Sequence, residues 1–475
     1  MKILKNFMRV AAVCAVAFTF TACGGDDEEP GGGSEIVDPD QKPTPEPNPD
    51  VDAMDPAAAK GYLEDTAIEL LSIVQPSDHE TLVRIVGYWN ENYGEYEAPA
   101  EWNLDALEGD DDDYYKARRH NPLRHMMRAL GKAAKGDIAA MSRAMNEVLN
   151  VARFSGIYEP GRDSYGDGIW VKTGNSKEVV FKFPCNGNNV EVKAFGEGGT
   201  WGEQEGGIRV EVPRKATLIL NNGGTELVNA VVESNLDFNA HTINVDLNAS
   251  LVNVNLKSST KGDNNSIRTE TYASYAGRQV ARSTATVNGR NMVDRNAIKN
   301  LFKEEKEHYE DGYGNVYEEV WYEFDVAQAE KMFIDGKTDS DVLGKIRVAG
   351  TITGFGRLMA ESEKYFDCDE YSDKEAARRD CQKQAEVIKE LVDVKLYLAG
   401  SANSSAEVDY KPYFDVEENE YYSWWEWYNE PVLLFADGST TSMEGYFGGN
   451  NFMGLDTPLR NIIYAYEGYW LNYRH

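Results

Sequence analysis

The sequence predicts an α+β fold: an N-terminal helical bundle, then a large curved antiparallel β meander resembling a half-barrel, with more helices toward the C-terminus. Three observations carry this. Between 56 and 153, apolar residues recur at three- and four-residue spacing, the signature of one helix face. From 154 onward they alternate with polar residues, as in strands with one dry and one wet face. Asn, Gly and Asp clusters punctuate that second region as turns. The chain divides into 1–22, 23–55, 56–153, 154–360 and 361–475, the last region free to share the sheet of the one before it. At 475 residues it is long enough for about three domains of roughly 150 residues. Its 41% hydrophobic content excludes a wholly disordered chain.

Residues 1–22 have the pattern of a secretory signal. Lys2, Lys5 and Arg9 give a positive start, and Val10 to Phe20 an apolar stretch shorter than the roughly 20 residues that span a bilayer. Phe20-Thr21-Ala22-Cys23 then resembles a bacterial lipobox, with Phe20 where Leu is usual. That resemblance implies cleavage before Cys23, diacylglycerol on its thiol and acylation of its new amine. Gly24-Gly25-Asp26-Asp27-Glu28-Glu29 resembles the export run of Bacteroidetes-type surface-exposed lipoproteins. It implies an outer-membrane location facing the cell exterior. The resemblance covers only these segments. Residues 23–55 follow as an acidic tether, with Gly31-Gly32-Gly33-Ser34 and prolines at 43, 45, 47 and 49. About 30 residues at about 3.1 Å each reach at most about 90 Å.

Lys and Arg total 48 against 80 Asp and Glu, a net charge of −32 that loss of the signal makes more negative by three. Such a chain repels phosphates, which excludes a nucleic-acid partner. It also leaves membrane attachment to acyl chains, each buried CH₂ contributing about 0.8 kcal/mol.

Asp55-Pro56 opens the first helix as N-cap and first-turn proline, with Leu63, Ala67, Leu70, Leu71 and Val74 on one face. Ser77-Asp78-His79-Glu80 has the pattern of a capping box for a second helix, leaving His79 exposed in the first turn. Asn121-Pro122 and Asp137 open two more, whose Met126, Met127, Met141 and Met145 are read as core. In the meander, 169–171 and 179–183 flank a hairpin signal at Thr173-Gly174-Asn175, and Asn221-Asn222-Gly223-Gly224 marks another turn. Alternation from Ile243 to Leu251 shifts phase at Val252, which reads as a β-bulge in one strand of about 14 residues. Strands follow at 267–275, 281–287, 316–324, 345–353, 394–398, 406–410, 432–435 and 440–446. Asp294, Ser372 and Asp456-Thr457-Pro458 open helices.

Chemical motifs are sparse. No nucleophile elbow, zinc-protease helix, P-loop or dinucleotide fingerprint occurs. Ser258-Ser259-Thr260-Lys261 fits S-x-x-K but ends a strand, where its chemistry needs a helix start. Carboxylate pairs among 80 acids are uninformative. The His residues form no metal pattern, and His120 and His125 sit in an Arg-rich stretch read as salt-bridged to Asp110–Asp113. Asp110–Asp113 and Asp163–Gly168 lack the alternation of a Ca²⁺ loop. No catalytic residue, metal or cofactor is assigned. Cys368 and Cys381 are candidate disulfide partners, and Cys185 a buried thiol.

The unusual stretch is Tyr421-Tyr422-Ser423-Trp424-Trp425-Glu426-Trp427-Tyr428. Aromatic faces stack on apolar faces of sugar rings and acids accept hydroxyl hydrogen bonds, so Tyr421, Tyr422, Trp424, Trp425, Trp427 and Tyr428 form a candidate ligand platform. The competing reading makes them a cap over the sheet edge. The resulting expectation is a non-catalytic, membrane-anchored surface lipoprotein that binds a carbohydrate or a partner protein. The alternatives are an envelope lipoprotein sheltering an apolar or lipid ligand in its curved sheet and, more remotely, a polysaccharide hydrolase.

Overall fold

A computed structural model describes residues 52–99, 122–135, 154–198, 200–202, 209–211, 214–310, 316–364, 373–418, 423–442 and 453–471, with parts of 141–152. Cys23, the lipobox, most of the tether, Asp110–Asp113 and His120 lie outside the described residues. The tether's last residues rest on the fold: Met54 packs against the core, and its N–H donates to Ser405 Oγ.

The first helix, α1 (Pro56–Ile73), is capped as its sequence requires, Asp55 accepting from the N–H groups of Ala57 and Ala58. The second, α2 (Pro76–Tyr93), corrects the expected capping box. Pro76 fixes φ at the first turn, Gln75 becomes the N-cap, and no side chain caps it. Asp78 is instead engaged across the molecule, accepting from Tyr275 Oη at 2.7 Å and Asn253 Nδ2 at 2.6 Å. His79 is buried rather than exposed, with Nδ1 3.2 Å from Tyr466 Oη. A third helix, α3 (Pro122–Ala134), and helical residues at 141, 144, 145, 148, 151 and 152 complete this layer. Met126, Met127, Met141 and Met145 are core, as expected.

The strands begin with β1 (Gly156–Arg162), β2 (Gly168–Gly174), β3 (Val179–Cys185) and β4 (Asn188–Glu197). The hairpin expected around Thr173-Gly174-Asn175 does not form. Between β2 and β3 lies β1, antiparallel to the former and parallel to the latter. A small pair, β5 (Thr200–Gly202) with β6 (Arg209–Glu211), precedes β7 (Lys215–Asn222), β8 (Thr225–Asp237) and β9 (Thr242–Leu251). Gly223 and Gly224 turn β7 into β8 with φ of 56° and 87°, values glycine adopts without steric cost. The expected bulge at Val252 is a tight turn. Val252 adopts φ 53° and ends β9, so two ten-residue strands replace one long one. Its N–H is held by Leu227 O at 2.9 Å.

After it come β10 (Val254–Asp263), β11 (Ser266–Tyr275) and β12 (Arg278–Gly289), then α4 (Arg295–Lys299), capped by Asp294. A two-stranded hairpin, β13 (Phe302–Glu310) with β14 (Val316–Phe324), stands apart from the main sheet. Next are α5 (Val326–Met332), β15 (Phe333–Val342), β16 (Ile346–Thr353), α6 (Phe355–Lys364), α7 (Lys374–Leu391) and β17 (Val392–Leu398). Asp373, not Ser372, caps α7. The chain closes with β18 (Ala406–Glu418), β19 (Ser423–Phe435), β20 (Thr440–Ser442) and α8 (Met453–Leu471). That last helix starts before the expected Asp456, with Pro458 inside it.

Among the described residues, sixteen strands form one open sheet in the order β2-β1-β3-β4-β7-β8-β9-β10-β11-β12-β15-β16-β17-β18-β19-β20. Every pairing in it but β1 with β3 is antiparallel, so the C-terminal strands extend the same sheet. Its cores are distinct. The largest joins α2, α3 and α8 to β1–β4 and β7–β12, with Trp89, Trp170, Phe181 and Phe183 fully buried. Burying each such side chain contributes about 1.5–3 kcal/mol. A second core seats α1 on Val342, Ile346, Leu398 and Leu433. A third seats α6 and α7 on Val392 and Val394, and a fourth gathers Met292, Leu301, Ala329 and Met332.

Candidate functional site

The aromatic stretch lies on an arm. Among the described residues, β18 pairs with β17 only at Lys395↔Glu407 and Leu396↔Ala406, yet with β19 along its whole length. Two strands therefore run on together beyond the neighbouring strand. Their support is α7, whose buried face, Ala377, Cys381, Ala385, Ile388 and Leu391, recurs at helical spacing. Asn429 Nδ2 donates to Cys381 O at 2.9 Å and Gln384 Oε1 at 2.8 Å. Lys389 Nζ reaches Asp409 at 2.9 Å. Side-chain amides and an ion pair, rather than apolar packing alone, fix the helix on the arm.

Beyond these contacts sits an aromatic pair. The Trp427 and Phe414 rings lie 5.0 Å apart at 47°, and Lys374 Nζ stands 5.4 Å over Phe414. Trp427 is half-buried, and among the described residues its indole N–H, a donor only, meets no acceptor. Across the strands, Trp424, Trp425 and Tyr428 are in register with Glu417, Val416 and Tyr413. Tyr413 is half exposed. Tyr421 and Tyr422 lie outside the described residues, as does Cys368, whereas Cys381 is buried in α7. Phe414, Tyr413 and Lys374 join the arm without having been singled out in the sequence. The signal for Tyr413 and Phe414 is the short run Lys411-Pro412-Tyr413-Phe414, which pairs with Trp427 to Glu430.

Other expectations resolve as structure. Asp163 Oδ1 accepts from the N–H groups of Tyr165 and Asp167, an Asx-turn joining β1 to β2. Ser258 to Lys261 lie within β10, away from any helix start. Arg124 pairs with Glu95 at 3.4 Å. Among the described residues, no three His, Cys, Asp or Glu side chains gather as a metal site. Cys185 is buried, and desolvation pushes its thiol up to about 11. No described helix is long and apolar enough to cross a membrane.

Set against known protein families, curated proteins and solved structures, the chain matches none.

Proposed function

We propose that this chain is a lipid-anchored protein of the outer cell surface that binds an extracellular carbohydrate, without catalysis, on the β18–β19 arm. Lipidation at Cys23 and the acidic run after it supply the anchor and the outward address. The tether supplies reach, and a strongly curved, half-barrel-like sheet with its helices supplies a rigid base. The observation that carries the reading is the Trp427–Phe414 pair beside α7, with half-exposed Tyr413 on the opposite face of the arm, on a strand pair that also carries Trp424, Trp425 and Tyr428. Stacking of a sugar ring on such a surface is an aromatic contact, and Glu430 on the same strand accepts hydroxyl hydrogen bonds.

Affinity electrophoresis of the purified protein against polysaccharides tests this. Retardation should be lost when Trp424, Trp425 and Trp427 are changed to Ala, with circular dichroism unchanged. Equal migration of both forms in every polysaccharide gel removes the reading and favours a protein partner. An apolar ligand sheltered by the sheet has less support, because the centre of the helix-bearing face is polar.

A further inference from the structure

The registers of β10, β11, β12, β15 and β16 place four rows across the face that carries the helices. The first is apolar: Leu256, Ala273, Ala281, Val342 and Ile346. The fourth is Gly262, Ile267, Val287, Gly336 and Ile352. Between them the second row reads Ser258, Thr271, Ser283, Ser340 and Val348, and the third Thr260, Thr269, Ala285, Thr338 and Gly350. Seven hydroxyls thus form a belt whose two rows hold no charged residue.

The belt coincides with the seams between the cores. The first row belongs to the clusters of α2 and α1, and the fourth packs against those of α5 and α6. Two hydroxyl pairs satisfy each other, Ser283 with Ser340 at 2.7 Å and Thr260 with Thr269 at 3.0 Å. Among the described residues, the hydroxyls of Ser258 and Thr271 meet no hydrogen-bond partner, and Ser258 is only 3% exposed. A buried hydroxyl without a partner is costly, and this site holds two in register on adjacent strands. Thr260, Thr269, Ser283 and Thr338 remain half-buried, so the belt is not sealed along its length, while the Thr271 hydroxyl itself is buried.

We propose that this hydroxyl belt is the floor of a second ligand site, separate from the arm, for a neutral saccharide. Each hydroxyl both donates and accepts, and its hydrogen turns to suit. Groups that match that dual role are themselves hydroxyls. A carboxylate or phosphate would meet no cation in these rows, and an ammonium no anion. Ala285 keeps the third row low, whereas the Phe355 ring of α6 stands 3.6 Å from where a Cβ of Gly336 would be and bounds the floor at the fourth row. The aromatic arm plays no part in this inference, so either site stands if the other fails.

Isothermal titration with neutral mono- and disaccharides tests the proposal in a Trp427→Ala protein, which lacks the arm's stacking surface, with Thr271→Val and Thr269→Val added to it in turn. Val keeps the branched shape of Thr and puts a methyl where the hydroxyl was. Saturable binding of one of these sugars to the Trp427→Ala protein is expected, weakened about fivefold to tenfold by either Val change, as for loss of one hydrogen bond. Binding seen in the parent but absent from Trp427→Ala would place the sugar on the arm and overturn the belt. So would the absence of binding by every form. A Val variant that shifts the melting temperature but not the affinity would reduce the belt to a hydrated seam, which also overturns it.

Discussion

Asp341 shows how one side chain can weaken a sheet that its neighbours strengthen. It is buried in β15, in register with Arg282 on one side and Arg347 on the other. Desolvation raises its carboxyl above the usual range, against the hydrogen bond from Gly344 N–H, and nearby Asp339 raises it further. Arg282 and Arg347 pull the other way without reversing the shift. Because the folded state holds this proton more tightly than the unfolded state, stability falls as pH rises from the unfolded Asp value through the folded one. Asp341→Asn removes that charge and keeps an oxygen to accept from Gly344. The variant should be at least as stable as the parent at pH 7, and its advantage should disappear below about pH 4, near the unfolded Asp value. Urea midpoints measured between pH 3 and 8 check this. A variant less stable at pH 7 than at pH 4, relative to the parent, would show that the two arginines need the carboxylate.

Two glycines make opposite claims about their helices. Gly61 lies in α1 with open space where a Cβ would stand. Gly356 lies where α6 crosses α5, and a Cβ there would sit 2.3 Å from Glu330 Cα and 2.6 Å from Ala329 O. Gly61→Ala should raise stability by roughly 0.5–1 kcal/mol through helix propensity. Gly356→Ala should lower it by about 1–3 kcal/mol, because backbone rather than a pliant side chain must yield. Chemical denaturation of the pair distinguishes them, and equal effects would mean that the crossing is looser than its geometry. Elements were legible in the sequence where local chemistry decides them. Asp55-Pro56 and Asp294 cap as read, Gly223-Gly224 turns as read, and the period-two alternation finds its strands. Partners chosen at a distance were not. Nothing local says that β1 inserts beside β3, or that Asp78 leaves its helix start for Tyr275, 197 residues away. Val252 is a β-branched residue at positive φ, which propensity argues against; only its long-range neighbours impose it. The hydroxyl belt was hidden for the same reason. Thr269 and Thr271 are visible as members of an alternating face, but they become a belt only when four other strands fall into register with theirs.

At the scale of the whole molecule, the last helix closes onto the first two. Packed against α1 and α2, α8 donates from its Gly454 N–H to Glu64 Oε1 at 2.5 Å, and buries Tyr466 beside His79. Tyr466, Tyr275 and Asp78 surround that histidine from three elements, so α2 is fixed at once to the middle of the sheet and to the chain's last helix. Burial raises the Tyr466 hydroxyl far above its ordinary range, which keeps it neutral at any physiological pH. A sheet of sixteen strands whose pairings are mostly between neighbours can grow strand by strand, but its largest core is complete only when residues near 466 return to residues near 79. Removing residues 453–475 should therefore do more than shorten the chain. It uncovers the α2 face, takes Tyr466 from His79 while Tyr275 stays, and removes a buried aromatic whose loss alone costs about 3–5 kcal/mol. The truncated protein should bind a hydrophobic dye and unfold over a broadened transition, while Tyr466→Phe, which keeps the ring and drops only the hydroxyl, should fall by about 1 kcal/mol and stay cooperative. A truncation that melts as sharply as the full chain would mean that the sheet holds α2 in place without α8.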